Sequence, residues 1–256
     1  MFKIDFYFWN IQCPINYETL HLLQSLDPSK YQVHYFELAC NDILAKKKEI
    51  YFPFLLIFND TIRWHSPITL HTLDAFTNGG FVKEKPYIIN QSNNIWKGTL
   101  IELNNETIHH VKKICTMTNC FKSCSLKGHY LSTVTKEFNS NFFGYLHFDG
   151  DTLVGGVEYI PSIKVPYPIP KANDTAFISC TYRSNSEFDY KAYPLRALEE
   201  RLARKYKKII AITGEKGIYP NGNLKWFKNQ GYKDEGIISI EKDYAILHLV
   251  SKPLSL

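Results

Sequence analysis

The stretch Ala176–Leu202 constrains this 256-residue chain most. Ala176–Tyr182 (AFISCTY) reads as a strand, and after a turn Leu195, Leu198, Leu202 and Tyr206 fall along one helical stripe. Lys208–Thr213 (KIIAIT) is a further buried strand. Buried strands that alternate with amphipathic helices place a chain in the layered α/β class. Where a strand feeds a helix, the first helical amides lack intrahelical partners and the dipole favours an anion there. Phosphate-gripping turns of this kind ordinarily carry glycines. This one carries Lys191, Ala192, Tyr193 and Pro194, and Pro194 has no amide hydrogen to give.

The first part of the chain alternates in the same way. Lys3–Trp9 (KIDFYFW) and Tyr31–Leu38 (YQVHYFEL) read as strands. Cys13-Pro14 opens a helix between them, with Pro14 suited to its first turn. Asn41 is placed to cap a short helix over Asn41–Glu49. Phe54–Phe58 (FLLIF) is a continuous apolar run, the pattern of a strand buried on both faces. Asn59-Asp60 turns it into a hairpin partner, Thr61–Trp64. A helix over Pro67–Phe76 then ends at Asn78-Gly79-Gly80. The order is β-α-β-α-β-β-α over residues 1–80. Residues 81–97, polar and rich in Asn and Ser, read as a linker.

Residues 98–256 form the second expected unit. Thr99–Leu103 is a strand, and helices are expected over Glu106–Cys115, with Asn105 as cap, and about Gly128–Glu137. Phe142–Phe148 and Thr152–Ile160 are strands joined by Asp149-Gly150-Asp151, a hairpin signal. Pro161–Asn173 holds four prolines and reads as an irregular excursion. A short helix over Asn221–Asn229 and two strands, around Gly236 and over Tyr244–Val250, complete the order β-α-α-β-β-β-α-β-α-β-β.

Composition excludes several function classes. At 45% hydrophobic and 15% aromatic the chain has ample material for packed cores. A net charge of +5 with scattered basic residues, and no interleaving of aromatic with basic residues, gives no reason to expect nucleic acid. No segment approaches the run of about 18 apolar residues that spans a membrane. Met1–Trp9 lacks the features of a secretory signal. Six cysteines at irregular positions fit a cytoplasmic protein with free thiols. Cys115, Cys120 and Cys124 do not follow a zinc spacing, so no metal is expected.

Two resemblances follow from these residues. The order of the first unit, with Cys13-Pro14 at the mouth of a helix and Pro53 just before the third strand, resembles the thioredoxin fold. That resemblance implies a cis-proline at Pro53 facing Cys13. The family's second cysteine is replaced by Asn16, so no local disulfide closes, and Cys13 is left as a single thiol at a helix N-terminus. In the second unit, "TAFISCTYRSNSEFDYKAYPLRALEERL" and "KKIIAITGEKGIYPNGNLKWFKNQGYKDEG" resemble the fourth strand to fourth helix of the GCN5-related N-acetyltransferase (GNAT) family. The "EKG…P…F…G" run is similar to that of a YoaP-like subgroup, which joins such a domain to a thioredoxin-like module.

The GNAT resemblance implies an acyl-CoA-dependent N-acetyltransferase with acetyl-CoA as donor and a small-molecule or peptide amine as acceptor. It implies that the pantetheine arm pairs with the strand at Cys180, Thr181 and Tyr182. The pyrophosphate would meet the turn at Lys191, Ala192 and Tyr193, with Lys191 and Arg196 supplying charge. The family's Arg/Gln-x-x-Gly-x-Gly/Ala pattern falls on Asp189, Ala192 and Pro194, a degraded version. Acyl transfer to an amine needs a base and an acid. Glu158, in mid-strand, is the candidate base, beside Glu187 and Glu215; its alternation with Val157 and Tyr159 equally suits a solvent-facing side chain. The family's tyrosine acid is matched by Phe227, which leaves Tyr232 or Tyr182. Cys13 is a third candidate, for thiol chemistry. A binding or regulatory protein that keeps both folds without turnover is the alternative reading.

Overall fold

The computed structural model describes residues 1–9, 13–39, 41–86, 88, 91–111, 140–183, 187–215 and 221–255. The described residues form a mixed α/β structure with two sheets. The first contains β1 (Phe2–Phe8), β2 (Tyr31–Glu37), β3 (Phe54–Phe58) and β4 (Ile62–Trp64) in the order β2-β1-β3-β4. β1 pairs parallel with β2 and antiparallel with β3, and β3 pairs antiparallel with β4. Helices α1 (Pro14–Gln24), α2 (Asp42–Lys47) and α3 (Leu70–Thr77) fall between the strands as expected. Asn41 caps α2, its side chain accepting from the Leu44 amide at 3.1 Å, and Thr69 caps α3 through the Thr72 amide at 3.2 Å.

The apolar run Phe54–Phe58 is buried at all five positions because both faces of its sheet are covered. Ile4, Phe6, Leu56 and Phe58 pack with Ile15, Leu23, Leu73 and Phe76 on the side of α1 and α3. Tyr7, Trp9, Leu55 and Ile57 join Phe177, Ile210, Ile212, Leu247 and Leu249 of the second sheet in one cluster. Polar contacts tie the same region together. Arg63 on β4 donates to both carboxylate oxygens of Glu241 on the second sheet, at 2.9 and 2.6 Å. His65 is buried between Glu84 and Glu241, with its ring stacked on Tyr244.

The second sheet is seven-stranded, in the order β10-β11-β9-β8-β7-β6-β5. Its strands are β5 (Thr99–Leu103), β6 (Gly144–Asp149), β7 (Thr152–Pro161), β8 (Thr175–Arg183), β9 (Lys208–Gly214), β10 (Lys233–Glu241) and β11 (Ala245–Pro253). All neighbours are antiparallel except β8 and β9. Gly150, at φ 55°, turns β6 into β7 as the Asp-Gly-Asp signal predicts. Helices α4 (Ala192–Leu202) and α5 (Leu224–Asn229) cover one face. There Leu195, Leu198 and Leu202 pack on Val157, Ile178, Ile209 and Ala211.

Three expectations need correction. Pro53 is trans: among the described residues no peptide bond is cis, and its carbonyl accepts from the Trp9 amide at 2.8 Å and from Asn16 Nδ2 at 3.1 Å. In place of the start of a helix at Glu106, the described residues show a single 3₁₀ turn, Ile108–His110. Asn104 rather than Asn105 holds the free amides there, accepting from Glu106 and Thr107. The rest of that helix, the expected helix at Gly128–Glu137 and the Cys115, Cys120 and Cys124 group fall outside the described residues.

Candidate functional site

The site is built where β8 and β9 part. They pair over only three positions, Thr175 with Lys208, Ala176 with Ile209 and Phe177 with Ile210. Beyond that, β8 stays with β7 as far as Arg183 and β9 stays with β11 as far as Gly214, so each strand follows its outer neighbour. The inner edges then face each other without a ladder, and buried backbone groups of that kind need partners. Asn221 supplies them. Its Oδ1 accepts from the Thr181 amide at 3.0 Å, and its Nδ2 donates to the carbonyls of Ile212 at 3.1 Å and Ile178 at 3.5 Å. The Thr181 hydroxyl donates to the Asn221 carbonyl, and the Thr213 hydroxyl donates to that of Gly222 at 2.7 Å. Asn221 is fully buried. It lies before the helix that the sequence pattern starts at this residue. That helix begins at Leu224, capped by Asn223 through the Trp226 amide at 2.8 Å.

The N-terminus of α4 opens at the mouth of this split. Asp189 Oδ1 accepts from both the Lys191 and the Ala192 amide at 3.0 Å, and Oδ2 accepts from the Trp226 indole at 2.7 Å. A carboxylate here is favoured by the helix dipole and satisfies donors that a helix leaves free. The backbone of Asp189 is itself clasped: its amide donates to Asn94 at 2.8 Å, and its carbonyl accepts from Trp96 at 3.3 Å. The expected cations are not turned to this point. Arg196 is exposed on α4. Lys191 is buried, its ammonium 4.2 Å from the centre of the Trp226 ring and 3.3 Å from the Asn221 carbonyl. Burial pushes its pKa down to about 7, opposed in part by Asp189. Gly222 beside it adopts φ 116°, a conformation that residues other than glycine rarely take, and a Cβ there would also crowd the ammonium nitrogen at 2.7 Å.

His147, wholly buried, braces the turn from the other side. Its Nε2 accepts from the Gly98 amide at 2.9 Å, so the proton resides on Nδ1, which donates to the Tyr190 carbonyl at 2.9 Å. Burial holds this imidazole below its ordinary pKa, consistent with the neutral ring that these partners demand. The Tyr193 ring packs 5.5 Å from it. Gly156 makes room for Tyr182: a Cβ there would fall 2.6 Å from the phenol carbon Cζ. Tyr182 is therefore packed and buried at the back of the split.

The three catalytic candidates do not converge. Glu158 is fully buried, which corrects the solvent-facing alternative. It sits in register with Gly144 and Cys180, and the partly buried Cys180 packs against the cluster shared by the two sheets. Tyr232 is in the other cluster, under α4 and α5, with Phe227 at 5.0 Å. Its hydroxyl is pushed well above its usual pKa by burial and by the Glu199 carboxylate. Glu199 is in turn held by Lys252 at 2.5 Å. Cys13 packs against the third cluster, beyond the first sheet.

The donor that the sequence resemblance implies can be tested against these contacts. The amides of Lys191 and Ala192 are already engaged by Asp189, Pro194 has none to offer, and the Lys191 ammonium points inward. The residues present do not fit a pyrophosphate at this helix end.

Among the described residues no helix is long and apolar enough to cross a membrane. No family model matches the chain. No curated protein matches it. Solved structures do. An N-acetyltransferase from Staphylococcus aureus Mu50 is similar over 61% of this chain and 98% of its own, at 13% identity and a TM-score of 0.46. An aminoglycoside 6'-N-acetyltransferase complexed with coenzyme A covers 61% of this chain and 97% of its own, at 12% identity and a TM-score of 0.43. A ribosomal-protein-alanine N-acetyltransferase from Brucella melitensis covers 61% and 99%, at 14% identity and a TM-score of 0.45.

Proposed function

We propose that residues 98–256 form a GNAT-like acyltransferase that moves an acetyl group from an acetyl-CoA-type thioester to a small-molecule or peptide amine. Residues 1–80 form a thioredoxin-like module joined to it by residues 81–97, as in the YoaP-like subgroup. The observation that carries this reading is the seven-stranded order with one parallel pair, β8 and β9, that opens after three paired positions beside the N-terminus of α4. A thioester arm laid into such an opening would present its carbonyl between two rigid strands, which is the positioning acyl transfer needs. Glu158, fully buried on β7 and in register with Cys180 on β8, is the proposed base. Tyr232 is assigned to packing, and Cys13 takes no part in the transfer.

One observation favours a second reading, a binding protein without turnover: Asp189 and Asn221 already hold the groups that a donor would use. Titration calorimetry with acetyl-CoA and with free CoA, followed by a thiol-release assay over a panel of amines, separates the two. Donor binding with amine-dependent thiol release supports the transferase. Binding without release supports the second reading, and no binding at millimolar donor removes the first.

A further inference from the structure

Asp189 is nine-tenths buried or more, and the hydrogen bonds that its carboxylate accepts come from N–H donors that an incoming phosphate would need. Oδ1 takes the two α4 amides, and Oδ2 takes the Trp226 indole. The linking segment fixes the backbone of Asp189 at Asn94 and Trp96, so the carboxylate is not on a free loop end. The second filler differs in kind. Asn221 bonds the split through a neutral carboxamide, accepting from Thr181 and donating to Ile212. The amide groups of a pantetheine arm can replace it with like for like, because donor and acceptor roles are the same on both sides of the exchange. A pyrophosphate that approaches Asp189 finds the helix amides taken and meets the Asp189 carboxylate first, while the Lys191 ammonium, within electrostatic reach of Asp189 and of Arg183, is turned to Trp226 and the Asn221 carbonyl.

We infer that the donor site of this chain selects the thioester arm and is indifferent to the nucleotide end of CoA, with Asp189 as the residue that sets this specificity. The inference rests on the transferase reading above. It gives the donor class as short acyl-pantetheine thioesters as readily as acyl-CoA.

The test is titration calorimetry of acetyl-CoA and acetyl-pantetheine with the wild-type chain and with Asp189→Ala. The wild-type chain is expected to bind the two donors within about threefold of each other, and Asp189→Ala to bind acetyl-CoA at least about tenfold more tightly with acetyl-pantetheine unchanged. Should the Ala variant fail to fold, Asp189→Asn removes the charge while keeping an oxygen for the amides, and a smaller gain for acetyl-CoA, with acetyl-pantetheine unchanged, is expected. A wild-type preference for acetyl-CoA of about 100-fold or more overturns the inference, as does an unchanged affinity in the variant. If neither donor binds either protein, the transferase reading falls. Inorganic pyrophosphate alone then decides the role of Asp189: binding gained on Asp189→Ala and absent from wild type sustains it, and no gain overturns it.

Discussion

Replacing Asn221 with Ala tests the account of the split sheet directly. The side chain makes three bonds, of which the one to Ile178 at 3.5 Å is at the limit of useful geometry. The other two satisfy the Thr181 amide and the Ile212 carbonyl in a place without solvent. A buried polar group that loses its partner costs about 1–3 kcal/mol, so two such groups give a loss of about 3 kcal/mol. For a chain of this size that corresponds to a fall in melting temperature of about 6–12 °C. Urea denaturation followed by far-ultraviolet circular dichroism measures the loss as a shift in midpoint at unchanged slope. Thr181→Val removes only the hydroxyl that donates to the Asn221 carbonyl, and should cost about 1 kcal/mol. The two substitutions touch one network, so the double variant should lose less than the sum. A loss below about 0.5 kcal/mol for Asn221→Ala, the size of an ordinary surface change, would refute the reasoning and mean that the strands close on each other without the plug.

The pH dependence of stability should carry three signatures, two lost as pH falls and one lost as pH rises, each read from urea midpoints. His147 has a lowered folded pKa, so the unfolded chain takes up its proton first and stability falls as pH drops below about 6.5; His147→Gln should flatten that arm. Glu241, held down to about 2 chiefly by the hydrogen bonds and charge of His65 and Arg63 against the opposing effect of burial, contributes stability above its ordinary pKa of 4.5 that is lost as pH falls towards 2. Glu241→Gln should remove that window. His65 is raised by Glu241 and Glu84, which outweigh its burial, so its contribution is present below about 6.5 and lost as pH rises through its folded value. A His65→Gln chain that keeps the alkaline loss would contradict this. Gly156→Ala should cost about 1–3 kcal/mol through overpacking, because the new methyl meets both the Tyr182 ring and the Tyr145 carbonyl; a neutral result would show that Tyr182 is not packed as described.

Much of the framework was legible from local pattern. The run Phe54–Phe58, the Asp149-Gly150-Asp151 turn and the stripe through Leu195, Leu198 and Leu202 each encode an element through side-chain periodicity or turn chemistry, which act over a few residues. Strand ends moved by one to three positions, as at Phe142–Phe148, observed as Gly144–Asp149. The site was less legible because its decisive contacts join residues far apart in the chain. Asp189 stands out locally as a departure from a phosphate-binding pattern, but that its carboxylate caps α4 and bonds Trp226, 37 positions away, has no local signal. Asn221 bonds Thr181 across 40 positions, and no periodicity marks it. Glu158 read as half solvent-facing because a strand's second face counts as exposed until something is known to cover it.

The cluster through which the two sheets share apolar contacts bears on what the first sheet does for the second. Phe177, Ile210, Leu247 and Leu249 pack together with Tyr7, Trp9, Leu55 and Ile57. A chain without residues 1–80 would therefore carry a bare apolar face, the kind of surface that drives aggregation. The amino-terminal part is thus the solubilising cover of that face, and Tyr7, Trp9 and Ile57 are the side chains that seat it.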